Sequence, residues 1–352
     1  MLNAIIVFFG SLFGVPTDAA PPELPEQSAS FQQPRLFAPE ALAQEGRITL
    51  SPGFSPDGKT IYFAQADCRL IWECPQRLMR ARMGHGGWEP AEPVDLPQEG
   101  RVDWPSVSPD GRRLLFSWAV PRERHAGRNV YEDFDLYSLD LTQPAALPQP
   151  IDDPDINRVR GGSIRKTRFV NNETAPSLTT DGDLYFWTER TDGVGLRDVC
   201  VAKSDGAGGY RKAQPLPAPI NSGGEDDGMW VRPDGRLMLM SYADRGGEGG
   251  SDVFVSVRTP SGWSDPEPLG PAVNSGHADF AARVTPGGEY VVFTSSRPQR
   301  GEAAGLYQIW YMPVAEVPIL QRAWKAATPT VSENRITPVD YHRIAGVELA
   351  GI

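Results

Sequence analysis

Cysteine and histidine are scarce in this chain of 352 residues, with three of one and four of the other. No Cys-x-x-Cys pair and no zinc-type Cys/His spacing occurs, and no two histidines stand as a ligand pair. Neither a structural zinc nor a His-based metal centre is therefore expected. Positive charge is also short: the formal net charge is −11, which works against non-specific binding to nucleic acid or to an anionic membrane surface. Long helical periodicities are missing from most of the chain. So are a Gly-x-Ser-x-Gly nucleophile elbow and a glycine-rich phosphate loop between strand and helix, which argues against α/β-hydrolase, P-loop and Rossmann chemistry. What is abundant is Gly (36) and Pro (34) beside a hydrophobic fraction of 40%, the balance of a turn-rich β protein and not of a disordered chain.

The first twenty residues differ from the rest. Ala4 to Val15 is an apolar run of signal-peptide length, too short to span a bilayer, and Thr17-Asp18-Ala19 offers small residues for cleavage. No Lys or Arg precedes the run, a departure from the usual pattern, and a buried helix or a misplaced start is the alternative. Export to the periplasm or beyond is the expectation. No cysteine follows the run, so no lipid anchor is expected. An oxidising compartment would allow Cys68 and Cys74, six residues apart in one loop, to form a disulfide, while Cys200 lies in an apolar strand and reads as a buried thiol.

The chain is organised around a repeated hairpin. Ser55-Pro56-Asp57-Gly58 has type I turn chemistry and is followed by the apolar strand Ile61-Tyr62-Phe63. The turn returns at Pro109-Asp110-Gly111, Thr180-Asp181-Gly182, Pro233-Asp234-Gly235 and Pro286-Gly287-Gly288, at steps of 53, 71, 53 and 53 residues. A second motif alternates with it: Trp88-x-x-Ala91-Glu92-Pro93, Tyr210-x-x-Ala213-Gln214-Pro215, Trp263-x-x-Pro266-Glu267-Pro268, and a weaker copy ending Pro148-Gln149-Pro150. Proline inside a strand marks a sheet edge, so this motif is read as the outermost strand of each unit. Four strands per unit of about fifty residues is the arithmetic of a propeller blade.

A fifth outer-strand copy, Leu36-x-x-Pro39-Glu40-Ala41-Leu42, stands at the N-terminal end, while the last unit has none after its third strand at Leu306 to Tyr311. The N-terminal strand should thus complete the last blade and close the ring. The expected fold class is all-β: a single propeller of five four-stranded blades, or six if the long step hides a degenerate blade. The expected divisions are a signal peptide over 1–20, a linker over 21–34, the propeller over 35–317 with an insertion at 152–172, and an extension over 318–352.

The Ser-Pro-Asp-Gly hairpins resemble the Pro-Asp variant of WD-type repeats found in TolB-like proteins, prolyl oligopeptidase propellers and secreted bacterial surface proteins. Gly246 to Val253 resembles the loop before the third strand in the last of these. The resemblance covers roughly residues 35 to 313 and speaks for fold much more than for function. TolB-like proteins carry an additional N-terminal α/β domain that residues 20 to 35 cannot supply, so a TolB role is not expected to carry over.

In such a ring the residues just before each innermost strand lie near one mouth of the channel, here called the top. They are Thr49, Asp103, Glu173, Glu225-Asp226-Asp227, and His277 with Asp279. Converging carboxylates could bind a cation or ligand or perform acid–base work; equally, they could cap turns or solvate the rim. The insertion brings Arg160, Arg165 and Arg168 to the same face, where Arg forks suit carboxylate or phosphate, unless they pair with Asp152, Asp153 and Asp155. Trp104 and Trp230 are candidates for ligand stacking or for core packing. The leading expectation is an exported scaffold that binds a protein, a carbohydrate or another small ligand on its top face, without catalysis. The alternatives are a glycoside hydrolase or lyase using Asp103, Glu173 or Asp226 as paired carboxylates, and a propeller stabilised by Ca2+.

Overall fold

A computed structural model describes residues 31–43, 46–68, 74–120, 133–153, 155–157, 172–189, 193–299 and 305–328, excluding the side chain of Asp227. The leader segment, most of the extension beyond 318, and Arg160, Arg165 and Arg168 of the insertion lie outside these residues.

Each of the five hairpins closes in the same way. The turn glycine donates its N–H to the carbonyl three residues back: Gly58 to Ser55, Gly111 to Ser108, Gly182 to Thr179, Gly235 to Arg232 and Gly288 to Thr285, all at 2.8–3.0 Å. All five glycines take positive φ, which a side chain would resist. The inner and second strands that these turns join are Ile48–Phe54 with Thr60–Ala66, Arg101–Val107 with Arg113–Ala119, Glu173–Leu178 with Leu184–Thr188, Asp226–Val231 with Leu237–Tyr242, and Asp279–Val284 with Tyr290–Ser295. Third strands follow at Arg77–Gly84, Asp135–Asp140, Asp198–Ala202, Asp252–Thr259 and Gln308–Pro313. In blades one to four the outer strand is a Glu-Pro or Gln-Pro dipeptide at 92–93, 149–150, 214–215 and 267–268. Proline can stand there because the outer edge needs no further donor.

Arg35–Leu36 pairs antiparallel with Tyr311 and Trp310, so the N-terminal segment is the fourth strand of blade five and the ring has five blades. The rest of the N-terminal motif behaves differently from its four relatives. Pro39–Leu42 is a helical turn instead of an edge strand. Pro39 suits a first helical position, and Ala41 stands where all four other blades carry Pro, so nothing prevents the turn. It buries Ala41 and Leu42 against Ile61, Phe63 and Met79 of blade one.

The core is divided among the clefts between blades. Leu237, Leu239 and Val253 of blade four meet Val284, Val291 and Phe293 of blade five, and related clusters fill the other clefts. Helix Pro318–Ala327 packs Leu320 and Ala327 into the first of these. A disulfide joins Cys68 to Cys74, and Cys200 is a buried thiol outside that bridge. Among the described residues no helix is long and apolar enough to cross a membrane.

Candidate functional site

Every inner strand is broken by a bulge, and every bulge centres on a residue in the left-handed region: Ser51, Trp104, Ala175, Gly228 and Ala281. Their spacing repeats the 53, 71, 53, 53 steps of the hairpins. Four of the five are not glycine, so the ring holds a conformation that each chain segment alone would avoid. Hydroxyls of neighbouring blades help to hold it. Ser117 accepts the N–H of Ala175 at 3.1 Å, and Thr294 accepts that of Ser51 at 2.9 Å. Blade one has Ala64 at the corresponding register position and offers no hydroxyl. The amide of Trp104 bonds instead to the carboxylate of Asp103, at 2.8 Å.

The bulge also re-sorts the acids read as a mouth. Apart from Glu225, which precedes its strand, they lie within the inner strands and not ahead of them, and they fall into two sets. Glu173, Asp226 and Asp279 stand two residues before the left-handed residue, level with Thr49. Asp103 stands one before it, level with Asp227. Neighbours along a strand face opposite sides of the sheet, so the five positions do not form one ring of carboxylates.

Most of these groups are buried and bonded. Asp226 is fully buried; it accepts the Ser222 N–H and hydroxyl and an Nη of Arg245 at 3.0 Å, and Arg245 also reaches the carbonyl of Pro219. Asp279 repeats the arrangement with Ser275 and with Arg297 at 2.7 Å, where Arg297 also holds the carbonyl of Val273. Glu173 accepts from the Thr188 hydroxyl at 3.0 Å, and Thr49 donates to Gln308 at 2.8 Å across the closing seam. His277 is half-buried, and its carbonyl accepts the N–H of Gly250 at 3.2 Å. The acids that begin the third strands fix the loops before them: Asp198 accepts from Gly195 at 2.9 Å and Asp252 from Gly249 at 3.2 Å.

Asp103 is electrostatically distinct. Burial pushes its carboxyl up from 3.8 to about 6, although the Ser51 hydroxyl, Arg101, the Trp104 amide and Arg283 all favour the charged form. Burial likewise raises Glu189 to about 7 against the pull of Arg197, which bonds it at 3.1 Å. Trp104 is half-buried and packs against the ring. Its ring crosses from blade two to lie against Phe280 of blade five, 6.2 Å between centroids. Trp230 lies at the opposite end of the channel, among the hairpin turns. Among the described residues no three His, Cys, Asp or Glu side chains are gathered as metal ligands would be.

Two recurrences were readable in the sequence. Asn221-Ser222-Gly223 and Asn274-Ser275-Gly276 are 53 residues apart, and their asparagines bond Val199 and Val253 while their serines hold Asp226 and Asp279. The partner arginines, Arg245 and Arg297, occupy similar places on the loops of their blades.

No protein-family model matches the sequence, and no curated protein does. Solved structures do match. TolB from Acinetobacter baumannii shares 16% identity at a TM-score of 0.44, over 75% of this chain and 54% of that one. A TolB from Agrobacterium tumefaciens shares 16% identity at 0.43, over 77% and 92%. The chain resembles the TolB propellers in architecture. It also matches an alpha-L-arabinofuranosidase from Lactobacillus brevis at 12% identity and 0.46, over 78% and 93%. This chain spans about half the length of the Acinetobacter TolB. Likeness at this level concerns architecture alone.

Proposed function

We propose that the chain is an exported binding scaffold that holds a protein partner on its top face and performs no chemistry there. The observation that carries this reading is the segment 193–197, just before the third strand of blade three. Its backbone is anchored: Leu196 donates to the Gly224 carbonyl at 2.8 Å, Gly195 to Asp198, and a β-carbon on Gly195 would lie 2.5 Å from that same carbonyl. Yet it presents Val194 and Leu196 to solvent at 58% and 39% exposure. Apolar side chains held outward on a hydrogen-bonded backbone cost little ordering entropy when a partner covers them. The Cys68–Cys74 bridge suits an oxidising compartment.

Of the carboxylates read as a catalytic pair, Asp226 is already committed to Ser222 and Arg245, and Glu173 accepts from Thr188, so catalysis gains no support from these two. The test is a photo-crosslinking residue placed at Val194 in the native host, with one at Leu147, 63% exposed on the opposite face, as the control. A discrete protein adduct at 194 and not at 147 is expected. No adduct at 194, or the same adducts at both, would overturn the proposal.

A further inference from the structure

The opposite end of the channel holds a cavity of about 510 Å³ that touches all five hairpins, through Pro56, Pro109, Thr180, Pro233 and Pro286. Its volume lies in the range of small-molecule sites. Phe54, Trp230 and the helix residue Trp324 give it apolar walls.

Three charged side chains line it: Arg232, Asp234 and Arg283. The first two satisfy each other at 2.8 and 2.5 Å, and Arg232 is further held by the Ala327 carbonyl and by the Trp324 ring, 4.7 Å away. Arg283 is different. It is 4% exposed, its Nε is unpartnered, and among the described residues its guanidinium makes no hydrogen bond or ion pair. It stands two residues after the left-handed residue of blade five, where the other blades carry Gly53, Ser106, Ser177 and Trp230. It is thus the one charge at that level of the ring. Asp103 acts on it electrostatically without bonding it, and Asp103 is shared with Arg101. A buried guanidinium with an unmatched Nε is costly, and such a group persists where something supplies acceptors to the rest of it.

We propose that the hairpin end of the channel is a binding site for a small organic carboxylate with an aromatic or apolar body, its carboxylate received by Arg283 and its body seated among Phe54, Trp230 and Trp324. The planar guanidinium matches a carboxylate in two-point geometry. A single cation with no bonded counter-ion, its charge already partly offset by Asp103, favours a monoanion over a phosphate dianion, whose desolvation would be larger. The site is at the far end of the ring from the loop of Val194 and is independent of it.

The test is calorimetric titration of the full chain with indole-3-acetate and with its neutral isostere indole-3-acetamide. The wild type should bind the acid about tenfold or more tightly than the amide, the effect of one charge-assisted contact in a shielded site. Arg283→Gln should remove that preference while leaving the amide affinity near its original value. No preference in the wild type, or a preference that survives Arg283→Gln, would overturn the proposal. Should Arg283→Gln fail to fold, Trp324→Leu serves: both affinities should fall together with their ratio kept, and unchanged affinities would place the ligand elsewhere and refute the assignment.

Discussion

The indole of Trp104 meets Gly228 across the ring: a β-carbon at 228 would lie 3.3 Å from Cη2 of the indole and 2.9 Å from the Ser241 side chain. Blades two and four are not neighbours, so this contact bridges the channel itself. Gly228 also has φ +62°, a value that a side chain resists. Gly228→Ala should therefore lose roughly 2–3 kcal/mol from combined strain and overpacking. Trp104→Ala should lose roughly 3–5 kcal/mol by opening a void that the other blades cannot fill. Urea denaturation of the two variants checks both values.

Asp103 gives stability a dependence on pH with a definite sign. Its carboxyl is raised from 3.8 to about 6, so the folded chain holds that proton more tightly than the unfolded chain does. The favourable contribution is complete below about pH 4 and is lost as pH rises through about 6. The difference amounts to roughly 3 kcal/mol. Asp103→Asn keeps an acceptor for the Trp104 amide and cannot ionise. It should match the wild type near pH 4 and exceed its stability at pH 7 to 8, as read from denaturation midpoints across that range. Glu189, raised to about 7, should leave a residual slope of the same sign in the variant.

Arg232 fastens the C-terminal helix. In the other four blades its position is Ser55, Ser108, Thr179 or Thr285. Ser55 and Ser108 bond the turn aspartate through their hydroxyls. In blade four the guanidinium bonds Asp234, reaches the Ala327 carbonyl and lies over Trp324. Arg232→Thr should restore an ordinary turn and release the helix. Amide exchange over Pro318–Ala327 should accelerate by about tenfold or more, while the strands of blades one to three keep their protection.

The ring and its closure were legible because the hairpin needs particular residues at fixed places: Pro or Thr, then Asp or Gly, then Gly can be counted. The bulges were not, because the left-handed position is filled by Ser51, Trp104, Ala175, Gly228 and Ala281, five places with no common chemistry. Counting back from the hairpins already separates Asp103, six residues before Pro109, from Asp226, seven before Pro233, and the bulges show what that one-residue offset means in register. Arg232 and Arg283 carry a weaker signal. Each is an arginine where the repeat otherwise has small or neutral residues, and aligning the five units position by position would expose both. The Pro39–Leu42 turn escaped because the motif around it looks like an edge strand until the missing second proline is weighed.

The reading of the mouth acids as framework is tested most directly by the unfolding free energies of Asp226→Asn and Asp279→Asn at pH 7. Each substitution leaves a mostly buried arginine without its counter-charge and removes acceptors from a serine amide or hydroxyl. Each should lower stability by roughly 2–4 kcal/mol. Carboxylates held for ligand binding or catalysis behave in the opposite way, since function is bought at the expense of stability. Variants as stable as the wild type, or more so, would contradict the framework reading and return Asp226 and Asp279 to the list of functional groups.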